Sequence, residues 1–287
     1  PNKINQNKEP AMSFSLKHFA GRSMKIAALA LAISLPLSAH AHRQWLLPSA
    51  TVLSGNEAWV TVDAAVSNDL FYFEHFPLRL DGLVVTGPEG KPVQAVNAAT
   101  GKYRSTFDVQ LSQPGTYKIA VVNNGVFASY KVDGQQKRWR GTAETLAKEI
   151  PANATELKVT QMNSRVETFV TAGKPSKAAL APTGVGLELQ PVTHPTDLVA
   201  GDTATFQLLL DGKPASEVEV ELVPGGIRYR DKLQDSKLKT DAAGKFSVKW
   251  TGPGMYWMEA SVSDQKTSLP QATQRRATYI ATIEVLP

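Results

Sequence analysis

The sequence predicts an all-β protein made of two β-sandwiches in tandem. Three observations carry that prediction. Short runs rich in Val, Thr, Tyr and Phe recur along the chain, and such residues favour strands. Clusters of Gly, Pro, Asn and Asp separate them at the spacing of sandwich turns. Only residues 142–150 carry helix-forming chemistry.

Residues 1–41 read as a leader to be removed. Lys25 supplies a positive start, and residues 26–37 form an apolar run broken by Ser34 and Pro36, too short for a membrane span. Ala39 and Ala41 form an A-x-A pattern, which predicts cleavage after Ala41 and a mature chain beginning at His42. Cleavage after Ala39 would instead put His42 third. Either cut implies export, to the periplasm in a Gram-negative host. No other stretch is long and apolar enough to span a membrane.

The first unit, 42–180, is expected to be an immunoglobulin-like sandwich. Residues 59–62 read as a strand, as do 83–85 ahead of the turn Gly87-Pro88-Glu89-Gly90. Residues 103–111 and 117–122 follow, and Asn123-Asn124-Gly125 reads as a turn before a strand at 127–132. Thr142 caps a short helical insertion that Pro151 ends. Residues 157–160 and 165–171 read as returning strands, and the Pro- and Gly-containing stretch 173–184 as a linker. The second unit, 185–287, has strand signals at 187–189, 203–210, 218–223, 246–250, 254–260 and 277–285. Asp211-Gly212 marks a hairpin.

Composition narrows the function. Beyond the leader, 26 basic residues face 25 acidic ones, so nothing points to nucleic acid. The chain has no cysteine, which excludes disulfides, thiolate metal sites and cysteine nucleophiles. It holds no serine elbow, phosphate loop or H-E-x-x-H motif, so hydrolysis and phosphoryl transfer lack support.

Three histidines remain in the mature chain: His42, His75 and His194. An N-terminal His42 would join a free amine to an imidazole. The amine ordinarily titrates at about 7.7–8.0, so a metal can displace its proton near neutral pH. With a second imidazole these groups make a three-nitrogen histidine brace; three histidines could instead leave an open position for water. Taken singly, His75 also suits a place among the aromatics of Phe71-Tyr72-Phe73-Glu74-His75-Phe76, and His194 suits a polar bend. Glu74 is a candidate oxygen ligand, or an acceptor behind the ligands. Met255 and Met258, three apart on a strand, should point to opposite faces and serve as core. Arg228-Tyr229-Arg230-Asp231 reads as an exposed loop.

The start His42-Arg43-Gln44-Trp45-Leu46-Leu47-Pro48-Ser49 and the segment Glu74-His75-Phe76-Pro77 resemble the DUF4198 family. So do residues 186–195, Asp211-Gly212-Lys213-Pro214 and Thr240-Asp241-Ala242-Ala243-Gly244. These secreted bacterial proteins are often described as periplasmic components of nickel or cobalt uptake. The resemblance implies tandem β units, the second similar to transthyretin or carboxypeptidase-regulatory sandwiches. It also implies His42 and His75 as matching positions, whereas His194 departs from the usual Asn or Asp. The expectation is an exported protein that binds a divalent transition metal, nickel, cobalt or copper, through His42, His75 and His194. Its expected partners are the ion and an inner-membrane metal transporter. The alternatives are a copper oxygenase resembling lytic polysaccharide monooxygenases and a metal-free binding or adhesion module.

Overall fold

The computed structural model describes residues 42–55 and 57–287. The expected leader with its cleavage point, and Asn56 of the Gly55-Asn56 turn, lie outside the described residues. The chain enters on β1 (Arg43–Pro48) and β2 (Val52–Leu53). It continues through β3 (Ala58–Ser67), β4 (Phe76–Pro77), β5 (Leu83–Thr86) and β6 (Pro92–Val93). Next come β7 (Ala95–Thr100), β8 (Ser105–Leu111), β9 (Gly115–Val132), β10 (Gln135–Gly141), helix α1 (Ala143–Glu149) and β11 (Thr155–Ala172). The remainder is β12 (Leu187–Pro191), β13 (Thr203–Leu210), β14 (Lys213–Pro214), β15 (Glu219–Pro224), β16 (Ser236–Lys239), β17 (Lys245–Lys249), β18 (Gly254–Asp264) and β19 (Gln274–Val285).

The expected all-β class and sandwich packing are present, in three layers. A five-stranded sheet has the order β1-β3-β8-β7, with β4 also on β3. A ten-stranded sheet runs β16-β15-β18-β19-β11-β9-β5-β6, with β10 on β9 and β2 on β11. A four-stranded sheet joins β12, β13, β14 and β17. The ten-stranded sheet is the middle layer because its central strands β11, β18 and β19 send apolar residues to both faces. In β11, Val166, Val170 and Ala172 join Trp45, Val62 and Phe107 in one core, while Phe169 joins Leu189, Phe206 and Trp250 in the other. In β19, Ile280 faces the first core and Tyr279, Ala281 and Ile283 the second. The outer strands alternate instead: in β8 only Ser105, Phe107, Val109 and Leu111 are buried, every second residue.

The two sandwiches are therefore not arranged end to end. The boundary expected between 180 and 185 falls at a change of layer, and the sheet continues across it. β11 pairs in parallel with β19 from Thr160↔Gln274 to Thr168↔Thr282. Parallel neighbours need a long crossover, and here residues 173–273 fill it with most of the second sandwich.

The turn expected at Asn123-Asn124-Gly125 is absent. β9 runs straight through it, with Asn123↔Ser164, Asn124↔Asn163 and Gly125↔Met162 in register on an equally long β11. Asn163 Nδ2 donates to Asn124 Oδ1 at 2.8 Å, so the side chains join the ladder. Both strands were expected in two pieces, and mutual pairing overrides the local turn preference. The left-handed backbone that a two-residue hairpin requires lies elsewhere: Asp133 and Gly134 at φ 50° and 76°, and Asp211 and Gly212 at φ 51° and 74°.

The expected helix forms as α1, with Thr142 N–H donating to Thr145 Oγ1 at 3.2 Å. It sets Leu146 into a small separate core with Val126, Ala128, Tyr130, Val159 and Ala272.

A buried charge cluster joins the middle and four-stranded layers. Arg165 lies 3.1 Å from Glu167 and 3.4 Å from Glu188, and all three are buried. Tyr279 Oη donates to Glu167 at 2.9 Å, and Gly184 N–H donates to Glu188 at 2.7 Å. Burial first, then the Glu167 charge, holds the Tyr279 hydroxyl protonated well above its usual range. Removing one member of such a buried pair typically costs about 3–5 kcal/mol.

Residues 185–287 expressed alone lose the β11 ladder and the cover of Phe169 and Leu180. They are expected to show no cooperative urea transition by tryptophan fluorescence, while residues 42–287 show one. A sharp transition in the fragment with the midpoint of the whole would mean that the second sandwich stands without β11.

Candidate metal centre

The structure brings two of the three candidate histidines together. His42 precedes β1, and His75 precedes β4. β1 and β4 flank the same strand: Gln44 is opposite Val66, and Val66 is opposite Phe76. The His42 and His75 rings approach to 4.1 Å between centroids, tilted by 52°. Phe76 edges His42 at 5.6 Å and is 47% exposed. His42 is exposed and His75 half-buried. His75 Nδ1 is buried without a hydrogen-bond partner among the described residues.

The loop that delivers His75 is braced from several sides. Glu74, a candidate ligand by sequence, is occupied within this loop. One of its carboxylate oxygens accepts from Asn68 N–H at 3.1 Å and Asp69 N–H at 2.8 Å. Ser67 Oγ donates to Asp69 O at 2.6 Å and accepts from Trp45 Nε1 at 2.9 Å. Phe71 and Phe73 pack on the Trp45 ring at 5.5 and 5.4 Å, and Arg104 lies over Phe73 at 4.3 Å. Phe71 takes a left-handed φ of 65°, an unusual conformation for a bulky residue that this packing enforces.

β1 is fixed with equal care. Trp257 Nε1 of the middle sheet donates to Gln44 O at 2.9 Å. Arg43 lies over the Trp257 ring at 5.2 Å and pairs with Glu221 at 3.5 Å. Glu221 is in register with Glu259 on β18. Burial, and then the Glu221 charge, raises the Glu259 carboxyl above the usual carboxylate range, against smaller downward pulls from Arg276 and Arg43.

His194 stands in a different cluster. Its Nε2 is 3.1 Å from Thr116 Oγ1 and 3.0 Å from Ser176 O. Its Nδ1 accepts from Thr196 N–H at 3.3 Å and lies 3.1 Å from Thr196 Oγ1. Both nitrogens are engaged by the protein, tying the bend after β12 to the ends of β9 and β11. Met258 is fully buried in the second core, while Met255 points away from it. Arg230 turns back onto Pro224 O and Leu233 O, at 2.9 and 3.0 Å, and closes its own loop. Tyr229, 80% exposed, hydrogen-bonds Tyr72 at 2.6 Å.

Among the described residues, no three His, Cys, Asp or Glu side chains converge as a metal-ligand set. The pair offers two imidazoles, and His75 Nδ1 is the ring nitrogen left without a hydrogen-bond partner. No described helix is long and apolar enough to cross a membrane.

The fold and this pair of histidines belong to a β-sandwich protein with a candidate two-histidine site. The chain is a member of DUF4198, a domain of unknown function, which it matches over residues 39–264. No curated protein matches it significantly. Among solved structures, the D0-D1 domain of intimin is similar at 16% identity, covering 84% of this chain and 97% of that one, with a TM-score of 0.22. A Salmonella α2-macroglobulin reacted with methylamine matches at 13% identity over 86% of this chain and 15% of that one, with a TM-score of 0.22. The human OSCAR ligand-binding domain matches at 12% identity over 85% of this chain and all of that one, with a TM-score of 0.20. Likenesses this slight carry no argument about activity.

Glu259 gives a pH test of the packing behind β1. Its folded pKa is raised, so the folded state holds the proton more tightly than the unfolded chain. Stability therefore falls as pH rises from the unfolded value, about 4.3, through the folded one. Glu259→Gln is expected to raise the melting temperature at pH 7 and to leave it unchanged near pH 3. A variant that melts lower than wild type at pH 7 would show that the carboxylate is needed where it stands.

Proposed function

We propose that this is an exported periplasmic protein that captures nickel, cobalt or copper and delivers the ion to an inner-membrane transporter. The observation that carries the reading is the His42–His75 pair, two rings 4.1 Å apart with His75 Nδ1 buried and orphaned. After cleavage behind Ala41, the amine and imidazole of His42 and the imidazole of His75 hold the ion. Three nitrogen donors suit borderline divalent ions. The braced loop and the pinned β1 support the reading, because ligands held by packing need little ordering when the ion arrives. His194 serves the fold in this account.

A second reading is a copper oxygenase that uses the same brace. Phe76, half-exposed beside His42, and the Tyr72–Tyr229 pair on the neighbouring loop favour it as surfaces on which a polymer could lie. Copper-dependent consumption of peroxide would distinguish it from delivery.

Isothermal titration with copper(II) and nickel(II) near neutral pH tests the site in four proteins. These are the chain starting at His42, the same chain with one extra N-terminal residue, His75→Ala and His194→Ala. Loss of an outer-sphere partner alone costs about 10–100-fold in metal affinity. The extension, which breaks the chelate, is expected to cost ~100-fold or more, and His75→Ala, which removes one ligand and spares the chelate, less than the extension. His194→Ala is expected to lower the melting temperature and leave affinity unchanged. Equal affinity with and without the extension would overturn the chelate. A protein starting at His42 that binds no ion would turn the reading to a metal-free binding module.

A further inference from the structure

This inference rests on the metal-binding reading and adds a residue that no motif marks. Gln44 stands two positions beyond His42, on the same side of the extended chain. The register sets Gln44, Val66 and Phe76 abreast, so their side chains share one face of the five-stranded sheet. Phe76 is also the ring that edges His42 at 5.6 Å. Val66, 5% exposed, forms the floor between them. Gln44 Oε1 is buried, and like His75 Nδ1 it has no hydrogen-bond partner among the described residues. The strand itself gives no cause for this, since Gln44 O accepts from Trp257 Nε1 and the β1–β3 ladder is unbroken. Native folds keep few buried polar atoms unpaired, and each one calls for an explanation. Here two such atoms lie on neighbours of the His42 and Phe76 rings in chain and register: Gln44 is two positions beyond His42 and abreast of Phe76 across Val66, and His75 directly precedes Phe76.

We propose that both atoms serve one guest: His75 Nδ1 binds the metal ion, and Gln44 Oε1 accepts a hydrogen bond from a water on the ion's open position. A neutral amide adds no charge to the site and still orients that water. Gln44 is thus a positioning residue, and it favours ions that keep a water beside three nitrogens.

The test uses chains starting at His42, with copper(II) as the probe, read by titration calorimetry, electron paramagnetic resonance and thermal melting. Gln44→Leu keeps the volume and removes the acceptor. It is expected to raise the melting temperature of the metal-free protein, to weaken copper binding about 10–100-fold and to change the copper hyperfine splitting. Gln44→Glu keeps an acceptor; it is expected to bind at least as tightly as wild type and with an altered spectrum. A lower melting temperature in metal-free Gln44→Leu would assign Gln44 to the fold instead. An unchanged spectrum and affinity in either folded variant would overturn the role of Gln44 and leave the His42–His75 site standing. Failure of the unsubstituted chain to bind copper would overturn both.

Discussion

The structure depends on one strand being held from both sides. β11 is antiparallel to β9 over nearly its whole length and parallel to β19 over nine residues. A parallel neighbour cannot be reached by a tight turn, so the chain must leave, travel and return. The excursion is most of the second sandwich. The middle sheet consequently has a core on each face, and the pattern of β11 records it: Val166 and Val170 on one side, Phe169 on the other. The same strand carries Arg165 and Glu167, whose charges are tolerated because Glu188, Thr183 and Tyr279 complete their hydrogen bonds.

The candidate site is built by both halves of the chain, although both histidines lie in the first. β1 sits on the five-stranded sheet, yet its start is pinned by Trp257 and Glu221, which arrive with the second half. Whatever binds at His42 therefore reports on the packing of the five-stranded sheet against the middle one.

Much of the fold was legible in the sequence. Strand-forming runs, the Asp211-Gly212 hairpin and the capped helix behind Thr142 rest on local chemistry, and local chemistry is what a sequence displays. The errors share a cause. Asn123-Asn124-Gly125 carries turn residues but lies in a ladder eighteen residues long, and the ladder's partner is remote in sequence. The expected linker looked like a boundary because the parallel pair that crosses it joins residues about a hundred apart. At the site, His42 and His75 stood out as rare residues, and their meeting depends on β1 and β4 sharing β3. Nothing local shows that Asn68 and Asp69 turn their amides toward one oxygen of Glu74. His194 carries no sign of its threonine partners at 116 and 196. Gln44 was invisible, since an orphaned acceptor exists only in a packed structure.

On the N-terminal side of Thr160, β11 has no contact with β19 in the ladder, and it runs with β9 and β10 as a three-stranded arm. The arm's own core is small, resting on Val126, Ala128, Tyr130, Leu146 and Val159. A segment with so little buried surface opens by itself more easily than the sheet from which it grows. Its amides should thus exchange with solvent through local opening, while those of β19 and the middle of β11 wait for the whole molecule to unfold. The hairpin at Asp133-Gly134, at the tip, is where a protease would find this protein first.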